Sequence, residues 1–313
     1  MQTQWKTLIA FGIIYFVWGS TYFAIRVGVA QMPPLLMAGI RFTVAGLAMT
    51  AWGLARGERM PSRRQWASIA LLGFLFFLVD YGFLFWAEQR VPSGMAAVIL
   101  ATIPAFTAIS EILWLRTQRL TMRLGTALLI GLAGVVVLVD PSLSVGGRPV
   151  YFLGAAGLVI GALSWSTGSV LTRLLPLPAS KVMSAGTQML AGGLFLGLAA
   201  AVLGEGHRFH PQAVSTGAWL ALLYLIVAGS IIAFTAYTWL IHHESPTKVG
   251  TYAYVNPVVA VAVGYFLGGE ALDLRTVLGT ALIIVSVLII TTGKTITTRS
   301  RADAGSDLEA EQP

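Results

Sequence analysis

The sequence predicts an all-α integral membrane protein with ten transmembrane helices, arranged as two inverted five-helix repeats. Three observations lead to this prediction. The 313 residues are 56% hydrophobic and only 11% charged, with a mean hydropathy of +0.78, whereas soluble domains carry about 25% charged residues. Ten apolar stretches are long enough to cross a bilayer, which takes about 20 residues. Short motifs also recur in the two halves of the chain at nearly constant spacing.

The ten apolar stretches are separated by short breaks, most of which contain proline, a residue that ends helices. The first stretch lacks an A-x-A cleavage site, so we interpret it as a retained helix rather than a signal peptide. The last residues, 294–313, are polar and aperiodic, and we expect a disordered cytoplasmic tail there. The predicted spans are residues 5–28, 33–55, 66–87, 93–115, 121–140, 150–174, 179–203, 216–241, 247–268 and 273–293.

Lysine and arginine residues predict the orientation in the membrane. If the N-terminus is cytoplasmic, 14 of the 20 basic residues fall on cytoplasmic stretches and only 4 fall on the opposite side. The remaining two, Arg26 and Arg41, lie within predicted spans. Because cytoplasmic loops carry an excess of positive charge, both termini are expected in the cytoplasm.

The internal repeat appears in two places. WGST at 18–21 is echoed by WSTG at 165–168, 147 residues later, and LGTAL at 124–128 recurs at 278–282, 154 residues later. We therefore predict a first repeat over 5–144 and a second over 148–293. Five spans per repeat is an odd number, so the second repeat must insert upside down, which is typical of secondary transporters with a site near the membrane midplane.

Several motifs in their order and spacing resemble the EamA-type family of the drug/metabolite transporter superfamily. They are WGSTYFAIRVG (18–28), PPLLMAGIRF (33–42), VPSGMAAVI (91–99), the two LGTAL motifs and YAYVNPVVAV (252–261). Similarity is greatest to its YedA-like exporters, with YddG-like amino-acid exporters more distant, and it runs over residues 5–293. It implies ten helices in a 5+5 inverted repeat around a central cavity. One departure is that Gly269-Glu270, a common end of the fourth helix of a repeat, has Leu115-Arg116 as its first-half counterpart.

The resemblance implies export of small metabolites, amino acids or drugs by alternating access. Amino acids or related amphipathic compounds are the favoured substrates, and proton-coupled efflux of cationic or aromatic drugs is the alternative. A membrane-embedded enzyme or receptor is the alternative from a different class. An enzyme would need clustered carboxylates, histidines or a nucleophile near the midplane, and the sequence offers none.

Polar aromatic residues and small polar residues within the predicted spans are candidates for lining a central cavity. Rings give an amphipathic substrate apolar contact, while hydroxyl and amide groups bind its polar groups. Ordinary helix packing with satisfied polar tips is the alternative for each of them. The candidates are Trp18, Ser20, Tyr81, Trp165, Tyr237, Tyr252 and Asn256.

Charged residues within spans are candidates for substrate or proton coupling, because ionisable groups in a bilayer are costly. Arg41 and Asp80 lie at a similar calculated depth, so we hypothesise an ion pair for which substrate or protons compete, or else a fixed structural pair. Glu111 could titrate, or form a salt bridge at the cytoplasmic rim. Pro104 and Pro257 are candidate gating prolines, with static kinks as the alternative.

No cofactor or metal is expected. The chain has no cysteine, its four histidines lack carboxylate partners at zinc-site spacing, and no G-x-x-x-x-G-K-[ST] motif for ATP occurs. The net charge of +7 does not indicate nucleic acid, because the basic residues are spread over short loops. The expected partners are the lipid bilayer and a small-molecule substrate, with coupling to protons left open. A monomer is favoured over a dimer.

Overall fold

A computed structural model describes residues 2–115, 121–139, 149–243, 249, 252–270 and 272–291 of the chain. Within these residues every regular element is a helix. Apart from two short 3₁₀ helices at Glu205–Arg208 and Pro211–Ala213, the helical elements fall into ten runs, α1 to α10. The predicted all-α class is therefore confirmed. The uninterrupted runs are α2 (Pro34–Ala55), α5 (Met122–Val139), α6 (Pro149–Leu171), α7 (Lys181–Val202), α9 (Tyr252–Gly268) and α10 (Leu274–Thr291).

The other four runs contain turns of π-helix, in which the backbone bonds i to i+5 and one residue is added to the turn. In α4 the chain also breaks between two helices, just before Pro104, which has no N–H to continue the backbone ladder. The composite runs are α1 (Gln2–Gly12, π-helical Ile13–Val17, Trp18–Val29), α3 (Arg63–Gly73, π-helical Phe74–Tyr81, Gly82–Glu88), α4 (Ser93–Leu100, Ile103–Ser110, π-helical Glu111–Leu115) and α8 (Thr216–Tyr224, π-helical Leu225–Ile232, Ala233–His243).

Seven helices in the described part of the chain are long and apolar enough to cross a membrane. The chain is thus a multi-pass membrane protein. Parts of α5, α9 and α10 are apolar but shorter, at Met122–Gly134, Val255–Gly268 and Leu274–Ser286. The seven spans are Gln4–Val29, Pro34–Ala55, Arg63–Glu88, Ser93–Trp114, Phe152–Leu171, Lys181–Val202 and Thr216–Tyr237. The tail predicted at 294–313 lies outside the described residues.

Consecutive helices run in alternating directions, which gives the bundle two ends. At one end the α3–α4 turn contacts α1, where Arg26 Nη1 donates to the carbonyl oxygen of Val91 (2.6 Å). At the same end, Ser215 N before α8 donates to Gln31 Oε1 after α1 (2.7 Å). This is called the Glu88 end, after the last residue of α3, and the opposite end, where α7 begins, is called the Lys181 end.

The α2 and α7 helices form the most extensive helix pair, and glycines bring their backbones close together. A Cβ atom on Gly39 would lie 3.0 Å from Gly197 N, and one on Gly193 would lie 2.5 Å from Thr43 N. A Cβ on Gly46 would overlap Leu190 N and lie 2.8 Å from the carbonyl oxygen of Gly186. Small residues at such contacts let membrane helices pack by van der Waals attraction.

Two helices of the first half receive their N-terminal cap from glutamates of the second half. The α2 helix and the first helix of α4 both follow a proline, which has no side-chain acceptor for the free N–H groups of the first turn. Glu205 Oε2 accepts from Leu36 N (2.8 Å), and Glu270 Oε1 accepts from Ser93 N (2.9 Å). Burial raises the pKa of the Glu205 carboxyl, and the hydrogen bond from Leu36 opposes the rise.

The glycine contacts predict opposite effects for two matched substitutions. Gly46→Ala places a Cβ against the α7 backbone, and overpacking should lower the free energy of unfolding by about 1–3 kcal/mol. Gly197→Ala is the control, because a Cβ there meets nothing within 4 Å and alanine favours helix. Thermal unfolding of the purified protein in detergent measures both. Equal melting temperatures for the two variants would contradict the packing described here.

Candidate functional site

Four tyrosines surround the middle of the helix bundle. Tyr22, Tyr81, Tyr237 and Tyr252 are each enclosed by neighbouring protein, yet each keeps a partly accessible surface. The four come from α1, α3, α8 and α9, which are helices of both halves of the chain.

Trp18 forms one aromatic wall of this region. Its ring centroid lies 5.0 Å from that of Tyr237 and 5.4 Å from that of Tyr252, the latter edge to face. Its Nε1 donates to the carbonyl oxygen of Gly229 in the π-helical turn of α8 (3.1 Å). The structure therefore brings together three of the predicted cavity residues and fixes the tryptophan by a hydrogen bond to another helix.

Trp165 forms the corresponding wall on α6. Its ring centroid lies 4.8 Å from that of Phe76 and 6.0 Å from that of Tyr81. The Tyr81 ring is nearly parallel to that of Phe77 (10°) and packs against Phe42 at 4.6 Å. Two predicted cavity residues, Trp165 and Tyr81, are thus neighbours within an aromatic cluster.

Arg41 is buried in this aromatic cluster, with 1% of its surface exposed. Its Nε donates to Ser230 Oγ (2.9 Å), and its Cζ lies 4.6 Å from the ring centre of Phe42 and 5.1 Å from that of Tyr81. Aromatic faces stabilise a desolvated guanidinium group. Its Nη1, however, donates to no acceptor in the structure.

Asp80 is also buried, at 3% exposed, and it lies in the π-helical turn of α3. Its Oδ1 accepts no hydrogen bond and packs against α6, 3.0 Å from where a Cβ on Gly161 would be. The predicted ion pair of Asp80 with Arg41 does not form among the described residues. Arg41 instead turns toward Ser230 on α8.

Asn256 contacts the backbone of α1. With its amide nitrogen toward α1, its Nδ2 donates to the carbonyl oxygens of Ile14 (3.2 Å) and Tyr15 (3.1 Å). Both carbonyls belong to the π-helical turn of α1. Asn256 is 4% exposed, so its amide serves as a clamp between α9 and α1.

Two serines of α6 likewise donate hydrogen bonds to backbone carbonyls of α3 and α4. Ser164 Oγ donates to the carbonyl oxygen of Leu75 in the π-helical turn of α3 (2.8 Å). Ser166 Oγ donates to the carbonyl oxygen of Ile103, just before Pro104 (3.0 Å). These bonds hold Trp165, which lies between the two serines, at a defined position on α6.

Ser20, the remaining predicted cavity residue, lies in an open groove of about 360 Å³ between α1, α8 and α9. Ser20 Oγ and Tyr224 Oη share a hydrogen bond of 2.7 Å. The other groove residues are apolar. They are Phe23, Ala24, Val27, Gly217, Leu220, Ala221, Val263 and Leu267.

Pro104 is the second residue of the helix that follows the break in α4, whereas Pro257 lies inside the continuous α9. The side chain of Glu111 lies outside the described part of the chain. No group of three or more His, Asp or Glu residues that could hold a metal ion occurs among the described residues.

Sequence reasoning missed three polar residues of the interior. Tyr22 lies four residues after Trp18, so helical spacing could have placed it on the same face. Glu88 lies one residue beyond a predicted span, and Ser230 has no signal in the sequence beyond its polarity in an apolar stretch. Only the packing of α2 against α8 brings Ser230 to Arg41.

These features define a multi-pass helical membrane protein with an aromatic, hydroxyl-rich and charged interior. The model of the EamA-like transporter family matches residues 5–140 and 152–292, so the chain belongs to that family. Its members are transporters rather than enzymes.

Relatives that match most of this chain occur in several organisms. The chain is 42% identical over 283 residues to the uncharacterized inner membrane transporter YedA of Escherichia coli K12, covering 90% of this chain and 89% of YedA. It is 29% identical to the protein PecM of Dickeya dadantii, covering 88% of each. It is 27% identical to a chloroplastic WAT1-related protein of Arabidopsis thaliana, covering 92% of this chain and 69% of that protein. One solved crystal structure shares the fold, with a TM-score of 0.62 at 24% identity over 91% of this chain and 97% of that one.

The Asn256 clamp predicts a loss of stability on Asn256→Leu. This change removes the side-chain donor from the carbonyls of Ile14 and Tyr15, the second of which keeps its bond from Trp18 N. Losing these hydrogen bonds should lower the free energy of unfolding by about 1–3 kcal/mol. Val258→Ala is the control on the same helix, because Val258 is 54% exposed. Thermal unfolding in detergent measures both, and an Asn256→Leu protein as stable as the wild type would refute the clamp.

Proposed function

We propose that this protein is a secondary active or facilitative exporter that moves small amphipathic metabolites across the inner membrane by alternating access. Amino acids or related zwitterionic compounds are the proposed substrates. Membership of the EamA-like transporter family supports transport, and similarity to the inner membrane transporter YedA supports the location. The observation that carries the substrate class is a buried basic and a buried acidic side chain, Arg41 and Asp80, which do not pair with each other and lie in an aromatic interior.

The proposed architecture is ten spans in two inverted repeats, over 5–144 and 148–293. Contacts between α2 and α7 support it. Gly39 approaches the backbone of Gly197, and the residues 147 positions later and earlier, Gly186 and Thr50, approach each other in the same way. Antiparallel helices whose contacts recur at a constant offset are expected from a twofold axis in the membrane plane.

The two tryptophans support the same symmetry. Trp18 on α1 packs against Phe234 and Tyr237 of α8, and Trp165 on α6 packs against Phe76 and Tyr81 of α3. Each repeat thus supplies a tryptophan to the third helix of the other. In this proposal the two halves rock around the space between these walls, and Pro104 and Pro257 allow α4 and α9 to bend.

The proposed orientation puts both termini in the cytoplasm, as the distribution of basic residues predicts. The Glu88 end then faces the outside of the cell, and the Lys181 end faces the cytoplasm. Export requires that substrate enters from the Lys181 end and leaves at the Glu88 end. Transport direction and orientation are tested together by adding substrate to one side of oriented vesicles.

Arg41 and Asp80 support a zwitterionic substrate. Arg41 Nη1 and Asp80 Oδ1 have no hydrogen-bond partner, and the Tyr81 ring packs against the Arg41 guanidinium group. A carboxylate on the substrate would pair with the guanidinium group and an ammonium group with Asp80, which would give up its proton on binding, while the rings contact the apolar part. Buried ionisable groups without a partner favour a ligand of complementary charge.

Efflux of cationic or aromatic drugs coupled to protons is the alternative function. Asp80 and the aromatic walls favour a cation, but the buried charge of Arg41 opposes it. In the same vesicles, a protonophore that abolishes uphill export supports antiport with protons, whereas persistence of export supports proton-independent transport.

Counterflow in liposomes tests the proposed substrate class. We expect the reconstituted wild-type protein to exchange amino acids rather than amphipathic cations. Asp80→Asn keeps the shape but removes one charged partner, and a charged hydrogen bond is worth about 1.5–3 kcal/mol, or roughly 10–150-fold. Amino-acid exchange should therefore fall by about that factor.

Arg56→Gln is the control, because Arg56 is exposed at the end of α2; its exchange rate should equal that of the wild type. Exchange of cations but not amino acids by the folded wild-type protein would reject the zwitterion proposal. Full amino-acid exchange by Asp80→Asn would remove Asp80 from the binding site.

A further inference from the structure

Glu88 is a buried carboxyl group to which the proposed transport site assigns no role. It is the last residue of α3, only 1% of its surface is exposed, and neither Oε1 nor Oε2 accepts a hydrogen bond. An ionised carboxylate without a partner in such a place is so costly that the group takes up a proton instead. The geometry therefore describes a neutral Glu88.

A salt bridge lies beside Glu88 and closes the Glu88 end of the bundle. Arg26 Nε of α1 lies 3.3 Å from Glu270 Oε1, which follows α9. The same carboxylate caps α4, accepting from Ser93 N (2.9 Å) and Ser93 Oγ (2.7 Å) through Oε1, and from Gly94 N (3.2 Å) through Oε2. Glu270 thereby ties together α1, α4 and α9.

Among the described residues, the titratable groups that interact with Glu88 are Arg26 and Glu270 of this salt bridge and the hydroxyl of Tyr22. Arg26 also contacts the turn that follows α3, because its Nη1 donates to the carbonyl oxygen of Val91 (2.6 Å). Arg90 is the adjacent cation, but it is engaged elsewhere. Its guanidinium lies 4.0 Å over the ring of Trp86 and donates to the Trp86 carbonyl oxygen (2.7 Å).

We propose that Glu88 is a proton-binding site that controls the closure of the Glu88 end. In the protonated form Glu88 is neutral, and Arg26 pairs with Glu270, as in this structure. When the carboxyl group releases its proton to water, the resulting carboxylate competes with Glu270 for the single guanidinium group. Arg26 then moves toward α3, the α1–α9 salt bridge breaks, and the ends of α1 and α9 separate.

The proposal goes beyond transport of a particular substrate, because it concerns a conformational equilibrium of the protein itself. Under the proposed orientation the ligand is a proton from outside the cell, and acid on that side favours closure. The test uses no substrate, so its failure is distinct from a failure of the transport proposal.

Distances between spin labels at the Glu88 end test the proposal. The chain has no native cysteine, so the pair Ala30→Cys and Leu272→Cys in the full chain carries the only labels. Ala30 and Leu272 are exposed just beyond α1 and just before α10. Pulsed electron resonance should give one short distance at acid pH and a population at least ~2 Å longer at alkaline pH, the scale of helix shifts in switching proteins.

Two substitutions should lock the equilibrium in opposite directions. Glu88→Gln cannot lose a proton and should keep the short distance at every pH. Glu270→Gln loses its charge but keeps an acceptor for the α4 cap, so Arg26 should turn to Glu88 and the long distance should prevail. Glu58→Gln is the matched control, because Glu58 Oε2 is also buried without a partner, but at the Lys181 end; it should titrate like the wild type.

A pH-independent distance in the wild-type protein would overturn the proposal, whether or not the variants fold. A Glu88→Gln protein that titrates like the wild type would overturn it as well. Loss of the titration in Glu58→Gln would remove the assignment to Glu88. Opposite locking by Glu88→Gln and Glu270→Gln, with an unchanged Glu58→Gln, would support it.

Discussion

The packing of this protein depends on how backbone carbonyl groups are satisfied where its helices depart from regular geometry. A π-helical turn or a proline leaves carbonyls without their usual N–H partner, and the interior of a membrane protein offers little water to replace it. Three such turns receive a donor from another helix: Asn256 bonds to α1, Ser164 to α3 and Trp18 to α8. Each bond fixes one helix against another, so the irregular turns serve as the joints of the bundle.

These joints also position the interior that we propose to bind substrate. Trp18 is held by the carbonyl of Gly229, and the next residue of the same turn, Ser230, holds Arg41. The π-helical turn of α3 carries Asp80, and the serine that bonds its backbone precedes Trp165. Rings and charges are thus set by the same contacts that satisfy the backbone. π-helical turns often occur at functional sites, and here they both carry the polar residues and supply their partners.

The hydrophobic pattern was sufficient to predict the helical class and the seven spans found among the described residues, because it depends on local composition. The repeated motifs WGST and WSTG pointed to Trp18 and Trp165, and the two rings make equivalent contacts with α8 and α3. The predicted Arg41–Asp80 ion pair was wrong, because depth along a helix does not give the direction in which a side chain points, and Arg41 bonds to Ser230 instead. The burial of Glu88 was not predicted, because Glu88 lies at the boundary of a predicted span, where a charged side chain is expected to be exposed.

Hydrogen exchange of the Trp18 indole tests most directly whether carbonyls at the irregular turns are held by side chains of other helices. Its signal in an amide-region NMR spectrum is identified by its loss in Trp18→Phe. Trp165 is the comparison, because it is buried to the same 7% but its indole is not held by a carbonyl within the described residues. One hydrogen bond worth about 1.4 kcal/mol corresponds to a tenfold effect, so the Trp18 indole should exchange at least ~10-fold more slowly than that of Trp165. Equal exchange rates for the two would contradict the account.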